Sequence, residues 1–355
     1  MEELGRVGYL LIASTMATHA VSALGRGLSR EPLTLTYGGR RVEVYSVEDS
    51  VAYLSRTAKS LFDFIMLLLT RYNNNKEKKW RNDTILFTLQ DFMYFMGYKD
   101  TRDMRYQALD QLIKDVTALG SLQLREEGAW WFGLVVSGGF VNADGGRATE
   151  GDIIAGEACI KLTAQSELLE HLCGHLFFVP YLVCLARRTR HNENAYALAK
   201  RMILHYSQSC NQGRVGQQRL KVKTLLGVCP ANTARAVGNI RRTFERAMDL
   251  LASQTEFEGP LITWSYLYNG RRCMPEQIKS KRLPQKAWLE LVIEFEPTDL
   301  LAGETEWAVH ERLDSAYDLV LRAPSQKVYF LNDENQEEDR SEADDAECLP
   351  SAYTW

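Results

Sequence analysis

The 355-residue chain has no uninterrupted apolar run of the roughly 18 residues that a bilayer-spanning helix needs. The nearest approach, Tyr9 to Leu24, is broken by Ser14, Thr15, Thr18, His19 and Ser22. The chain does not open like a secretory leader either, because Glu2 and Glu3 outweigh Arg6 ahead of the apolar stretch. This start reads as an ordinary N-terminal helix of a cytoplasmic protein. Seven cysteines, at 159, 173, 184, 210, 229, 273 and 348, are scattered without a CxxC pair, and their number is odd. That pattern points to reduced thiols in a reducing compartment.

Motifs that carry chemistry are missing as well. There is no G-x-x-x-x-G-K-[ST] phosphate loop; Gly213 to Lys223 has the glycines and lysines at the wrong spacing. A rolling-circle nicking enzyme would show two histidines flanking one apolar residue, plus a nucleophilic tyrosine. The nearest match, His171-Leu-Cys-Gly-His175, has three residues between its histidines. That spacing could hold a metal from one helix face with Cys173 or Cys184 nearby. Gly174 sits inside it and no carboxylate is interleaved, so a structural role is the reading adopted. Acidic pairs such as Asp91 with Asp100, or Glu304 with Glu306, have no catalytic context. The expectation is a binder without enzymatic activity, cofactor or metal.

Forty-two basic against 46 acidic residues give a net charge of −4, which by itself argues against a nucleic-acid partner. The distribution along the chain argues the other way. From Leu185 to Arg246 thirteen Lys or Arg face only Glu193 and Glu245, and from Arg271 to Lys286 six face only Glu276. Asp333 to Glu347 instead carries nine acids and one arginine. Segregation of this kind suggests a basic surface for a polyanion and an acidic, disordered tail.

Element signals repeat in one order. The first segment reads as a helix over Ser60 to Tyr72, a strand over Ile85 to Leu89, a helix from Gln90 ended by Gly97, and a longer helix from Thr101 to Leu119. A hairpin of Leu122–Arg125 and Trp130–Val136 follows, ending at Gly138–Gly139. The second segment reads as a helix over Asn194 to Ser207, a strand over Leu220–Val222, a short helix stopped by Pro230, and a long helix from Asn232 to Ala252. A hairpin from Leu261–Tyr268 to Trp288–Phe295 closes it. Helix, strand, helix, helix, two-stranded wing is the order of a winged helix-turn-helix.

The fold class expected is therefore α+β, with two tandem winged helices. Residues 1–59 form an N-terminal extension containing a probable hairpin, Leu33–Tyr37 with Val42–Tyr45. The first winged helix takes 60–141, a mobile Gly-rich loop 142–156, and the second winged helix 157–300, with Glu157 to Thr163 as its introductory strand. A helix or strand in 301–332 and the acidic tail 333–355 complete the chain.

The two third helices differ on a helical wheel. In the second, Val237, Ile240, Phe244, Met248 and Leu251 make a core stripe, and Arg235, Asn239, Arg242 and Arg246 cluster opposite. Asn232 is a natural N-cap with Thr233 in the first turn. A charged helix face is ordinarily just solvated, but such faces mix signs, and this stripe contains no acid. Arg pairs bidentately with guanine and Asn with adenine, so the residues from Asn232 to Asn239 suit base edges, with Arg242 and Arg246 on the backbone. Arg241, Lys221, Lys223, Arg271 and Arg272 complete the expected DNA-binding set.

In the first copy Arg105, Leu109, Leu112, Val116 and Leu119 point inward, and Asp103, Gln107, Asp110 and Lys114 outward. That mixed face would not attract phosphate and suits protein contact, by dimerisation or docking. The aromatic hairpin Trp130, Trp131 and Phe132 fits either that contact or a core.

One stretch carries a family likeness. It runs through Phe177-Phe178-Val179-Pro180, Asn194-Ala195-Tyr196-Ala197-Leu198, His205-Tyr206 and Leu220-Lys221-Val222-Lys223-Thr224-Leu225-Leu226. It continues with Phe244-Glu245-Arg246-Ala247-Met248-Asp249-Leu250-Leu251 and Ile262-Thr263-Trp264-Ser265-Tyr266. In these motifs the second copy resembles the plasmid replication initiators with tandem winged helices, especially those of Gram-positive bacteria and their mobile elements. The resemblance implies binding to repeated origin sequences in double-stranded DNA, one winged helix reading and the other supporting a homodimer, with recruitment of host initiator and helicase proteins. A transcriptional repressor on the same scaffold is the alternative; a relaxase, nuclease or assembly scaffold is further off.

Overall fold

The computed structural model describes residues 7–11, 18, 21, 33–37, 40–46, 54–73, 83–120, 122–126, 129–132, 135–165, 178–189, 191–229, 237–253 and 259–310. Its centre is helix α1 (Arg56–Asn73), in which every residue from Ala58 to Thr70 is buried. A helix apolar nearly all round has no solvent face to offer, so it must be enclosed. It packs against α2 (Leu89–Met96), α3 (Arg102–Gly120), β1 (Val7–Leu11) and β4 (Thr84–Phe87). Phe64 of α1 meets Phe87, Phe92 and Phe95 with ring centroids 4.9–6.0 Å apart. Local chemistry sets the ends of α2. Thr88 and Asp91 form a reciprocal capping box, and Gly97, at φ 72°, closes the helix in the left-handed conformation that costs glycine least.

Three antiparallel strands complete this unit, in the order β4, β8 (Cys159–Ala164), β7 (Val135–Val141). The pairing corrects three expectations. The strand expected to introduce the second unit closes the sheet of the first. Gly138 and Gly139 lie inside β7 rather than ending a hairpin. The Gly-rich connection between β7 and β8 holds a short helix, α4 (Glu150–Ala155), capped by a Thr149–Asp152 box and by Gly156 at φ 83°. Thr and Asp three apart and a following glycine encode that turn locally.

The expected hairpin after α3 does form, as β5 (Leu122–Glu126) and β6 (Ala129–Phe132), but in a different sheet. It joins β2 (Leu33–Tyr37) and β3 (Arg40–Ser46) in the order β2-β3-β5-β6. The strands that share β4's sheet are thus β7 and β8, and β5–β6, which precede them in the chain, belong to the other sheet. The N-terminal helix expectation also changes: Val7–Leu11 is a strand, antiparallel to β9 (Phe178–Leu182). Cross-chain pairing overrides local preference here, and Pro180 is tolerated because β9 has a partner on one side only.

The second unit repeats the order. Helix α5 (Glu193–Asn211) is followed by β10 (Gln218–Lys221), α6 (Val222–Leu226) and α7 (Val237–Leu251). Then come β11 (Ile262–Tyr268), β12 (Arg271–Cys273), α8 (Pro275–Ser280), α9 (Gln285–Leu289) and β13 (Val292–Pro297), with sheet order β10-β13-β11-β12. Both units therefore run helix, strand, helix, helix and then further strands, with the first strand bonded to the last. Trp288, expected on the second strand of the hairpin, lies on α9. Helix α10 (Asp299–His310) packs on α5 and β9, and among the described residues no helix is long and apolar enough to cross a membrane. The expected acidic tail and the His171–His175 motif lie outside the described residues.

A buried charge cluster ties the two units together. Asp63 of α1 is fully buried, and its Oδ2 accepts from Tyr181 Oη (2.8 Å), Arg188 and Lys200 Nζ of α5. Beside it Glu193, at the start of α5, receives Lys59 (2.9 Å) and Arg56 (3.0 Å) of α1. Burial drives the Lys200 ammonium down to about 7, with Arg188 adding to the effect and Asp63 opposing it.

Candidate nucleic-acid interface

Helix α7 is anchored by Phe244, Ala247, Met248 and Leu251, which are buried, and by Ile240 packed against the same core. The side chain of Val237 and all of Asn232, Thr233 and Arg235 lie outside the described residues. On the opposite face Asn239, Arg242 and Arg246 are exposed. Their spacing of three and four residues stacks them along one side of the helix. Arg242 donates to Asn239 Oδ1 at 3.1 Å, and among the described residues Arg246 has no acidic partner.

Arg241, one residue from this stripe, serves the fold. Its Nε donates to Glu245 Oε1 (2.8 Å) and its Nη2 to the Pro275 carbonyl (3.2 Å). Glu245 is buried, accepts from Tyr266 Oη (3.1 Å) and lies 3.5 Å from Lys279 Nζ. Tyr266 Oη in turn accepts from Trp288 Nε1 (3.1 Å). Burial pushes the Tyr266 phenol up, so it stays a neutral donor. Three elements after α7 are thereby fastened to it: β11, α8 and α9. Sequence reasoning saw a basic residue at 241 and could not see the acid that holds it; the signal was Glu245 four residues on.

The remaining cations divide by their counterions. Lys221 and Lys223 both reach Glu290, at 2.8 and 2.6 Å. Arg219 and Arg272 both reach Glu294, which is only 4% exposed. Register explains the second pair: Arg219 faces Glu294 across β10–β13, and Arg272 lies two strands further along the same face. Arg271 follows the two-residue turn Asn269–Gly270, whose φ values of 50° and 75° suit a tight hairpin; it is exposed and, among the described residues, unpaired.

The corresponding helix of the first unit presents another surface. Asp103, Gln107, Asp110 and Lys114 are exposed as expected, and Lys114 pairs with Asp110 at 2.5 Å. Among them sit two apolar side chains that the wheel analysis passed over, Tyr106 at 49% and Ile113 at 39% exposure. Asp115 was not expected inside; it is buried, accepting from Ser55 (2.7 Å) and Gln111 (2.9 Å), and burial raises its pKa. Among the described residues no three His, Cys, Asp or Glu side chains converge as a metal site would require, and Cys159, Cys184, Cys210, Cys229 and Cys273 are free thiols.

No protein-family model matches the sequence, and no curated protein matches it. Among solved structures, the chain is similar to a selenomethionine derivative of domains 2 and 3 of RctB, at 9% identity and a TM-score of 0.43, covering 81% of this chain and 99% of that one. A second structure of RctB domains 2–3 matches at 10% identity and a TM-score of 0.39, covering 82% and 99%. Likeness at this level carries no functional argument.

Proposed function

We propose that the chain is a non-enzymatic initiator of DNA replication, acting in the cytoplasm, that binds repeated origin elements in double-stranded DNA through the second of two tandem winged helices. The observation that carries this reading is the exposed face Asn239–Arg242–Arg246, whose arginines pair with no acid among the described residues, on a third helix whose opposite side is core and whose roll is fixed by the Arg241–Glu245–Tyr266–Trp288 chain. Arginines on such a helix engage phosphate or guanine, and the asparagine engages adenine. The expected readers Asn232, Thr233 and Arg235 precede this face in the chain and belong to the proposal with it. Arg271, exposed at a wing turn, is a further contact; Arg241 is left out of the contact set. The mixed face of α3, with Tyr106 and Ile113 exposed, supports a protein contact there, for a homodimer. Recruitment of a host initiator and helicase belongs to this proposal through the family resemblance alone.

Duplex binding with salt titration tests the reading. Arg242→Ala and Arg246→Ala should each reduce the slope of log K against log salt by about 0.9, the share of one phosphate contact. Asn239→Ala should change the footprint, and slopes identical to the parent in all three variants would remove α7 from the interface. A transcriptional repressor would use the same groove-reading face. Direct repeats and an AT-rich tract beside the gene favour the initiator, and a lone operator at a promoter favours the repressor. Nicking of supercoiled DNA by the purified protein with magnesium would overturn the non-enzymatic reading.

A further inference from the structure

The four cations Arg219, Lys221, Lys223 and Arg272 are held by two glutamates of very different character. Glu294 sits in the middle of the sheet at 4% exposure, with Arg219 on one oxygen and Arg272 on the other. Strand β13 fixes its backbone on both sides, so it cannot leave. Glu290 directly follows α9, which packs on α6, and its side chain is 48% exposed. Lys221 Nζ meets its Oε2 at 2.8 Å and Lys223 Nζ its Oε1 at 2.6 Å, both lysines being half exposed. Two ammonium groups on the separate oxygens of one anion form the arrangement that two non-bridging oxygens of a phosphodiester would also satisfy. Solvent reaches all three groups, so the carboxylate can swing away. The hydrogen bonds from Lys221 and then Lys223 hold the Glu290 carboxyl down to about 2, and the acid is therefore ionised wherever the protein works.

We propose that Glu290 competes with DNA phosphate for Lys221 and Lys223, holding down sequence-independent binding so that discrimination rests on α7. The proposal rests on the duplex-DNA reading above. It makes Glu290 a specificity-determining residue that does not itself touch DNA. Non-specific affinity is almost wholly a matter of phosphate neutralisation, so one internal acid beside two lysines removes about one contact's worth of counterion release.

The test uses the full chain with Glu290→Gln, a random-sequence duplex of about 30 base pairs, and a duplex selected from a random pool by the parent protein. At roughly 0.1 M salt, E290Q should bind the random duplex about eightfold more tightly, with a salt slope steeper by about 0.9. The ratio of selected to random affinity should fall. The triple variant Lys221→Gln, Lys223→Gln, Glu290→Gln should lose the gain. If the parent binds duplex and E290Q leaves affinity and slope unchanged, the competition is refuted and the duplex reading stands. A gain that persists in the triple variant refutes it too, since the two lysines would then not carry it. If neither the parent nor E290Q binds either duplex, the duplex reading fails and takes this inference with it.

Discussion

Replacing Asp63 by asparagine keeps the shape of the side chain and removes a buried charge that both Arg188 and Lys200 reach. The carboxylate is fully buried, so water cannot take its place. Taking one partner from a buried ion pair costs about 3–5 kcal/mol, because the opposite charge stays behind in a poorly polarisable site. Arg188 cannot shed its proton, but Lys200 can, since burial already sets it near 7. At pH 8 the lysine is therefore mostly neutral, and the loss should fall at the lower end, about 3 kcal/mol. The deficit should then grow in acid. In Asp63→Asn the lysine drops further, so between pH 7 and about 5.5 the unfolded chain binds a proton that the folded one refuses. In the parent, folded Lys200 is half protonated at pH 7 and almost fully by pH 5.5, so its own slope over that interval is small. The difference over 1.5 pH units amounts to about 2 kcal/mol. Thermal and denaturant melts of parent and D63N at both pH values measure it. A deficit below about 1 kcal/mol would refute the reasoning that this charge holds the two units together. An equal deficit at both pH values would show that Lys200 keeps its charge without Asp63.

The parent itself should gain stability as pH rises from about 7 toward the ordinary lysine value of 10.5, because over that window the unfolded state holds more protons; Lys200→Met should flatten the rise in denaturant midpoints taken across it. Gly97→Ala should destabilise by about 1–2 kcal/mol, since an alanine at φ 72° is strained and its Cβ would lie 2.7 Å from Arg187 Nε, while asparagine should cost less, as comparative melts would register. Tyr266→Phe leaves Trp288 Nε1 without its acceptor and takes one donor from Glu245, a loss of about 1–3 kcal/mol; DNA affinity should weaken with an unchanged salt slope, because no phosphate contact is removed.

What the sequence revealed was mainly local. Gly97 announced the end of α2, and the Asn, Arg, Arg stripe opposite Phe244 and Met248 was visible on a wheel because both signals lie within one helix. Strand partners are not local. Leu122–Glu126 has a good strand composition whether it pairs as a wing or, as it does, with Arg40–Ser46, and the residues at 159–164 look the same opening one sheet or closing another. A period-two pattern says which face is buried and nothing about which neighbour covers it. Likewise Val7–Leu11 had the apolar content of a helix or a strand, and only Phe178–Leu182, far along the chain, decides between them. Glu290 lies some seventy residues from Lys221 and Lys223, and Glu294 lies 75 from Arg219, so these roles became readable only once β10 and β13 were in register.

The same separation recasts the charge argument. Along the chain, residues 185–246 carry thirteen cations against two acids, a run that suggested one broad basic surface. In the folded protein Arg188 and Lys200 serve Asp63 across the junction of the units, and Arg241 is turned to Glu245. Arg219 lies on Glu294, and Lys221 and Lys223 share Glu290. The acids that answer this run come from segments outside it, apart from Glu245, which is why the sequence count overstated the surface. Arg242 and Arg246 share one helix face and pair with no acid among the described residues. Six of the thirteen cations in this run are answered by an acid, which weakens its long-range field and its hold on arbitrary phosphate. On the proposed reading, discrimination between DNA sequences comes from short-range contacts at α7, where geometry decides and net charge does not. A net charge of −4 is then no obstacle to that reading, because it averages over a chain whose exposed Arg242 and Arg246 share one helix face.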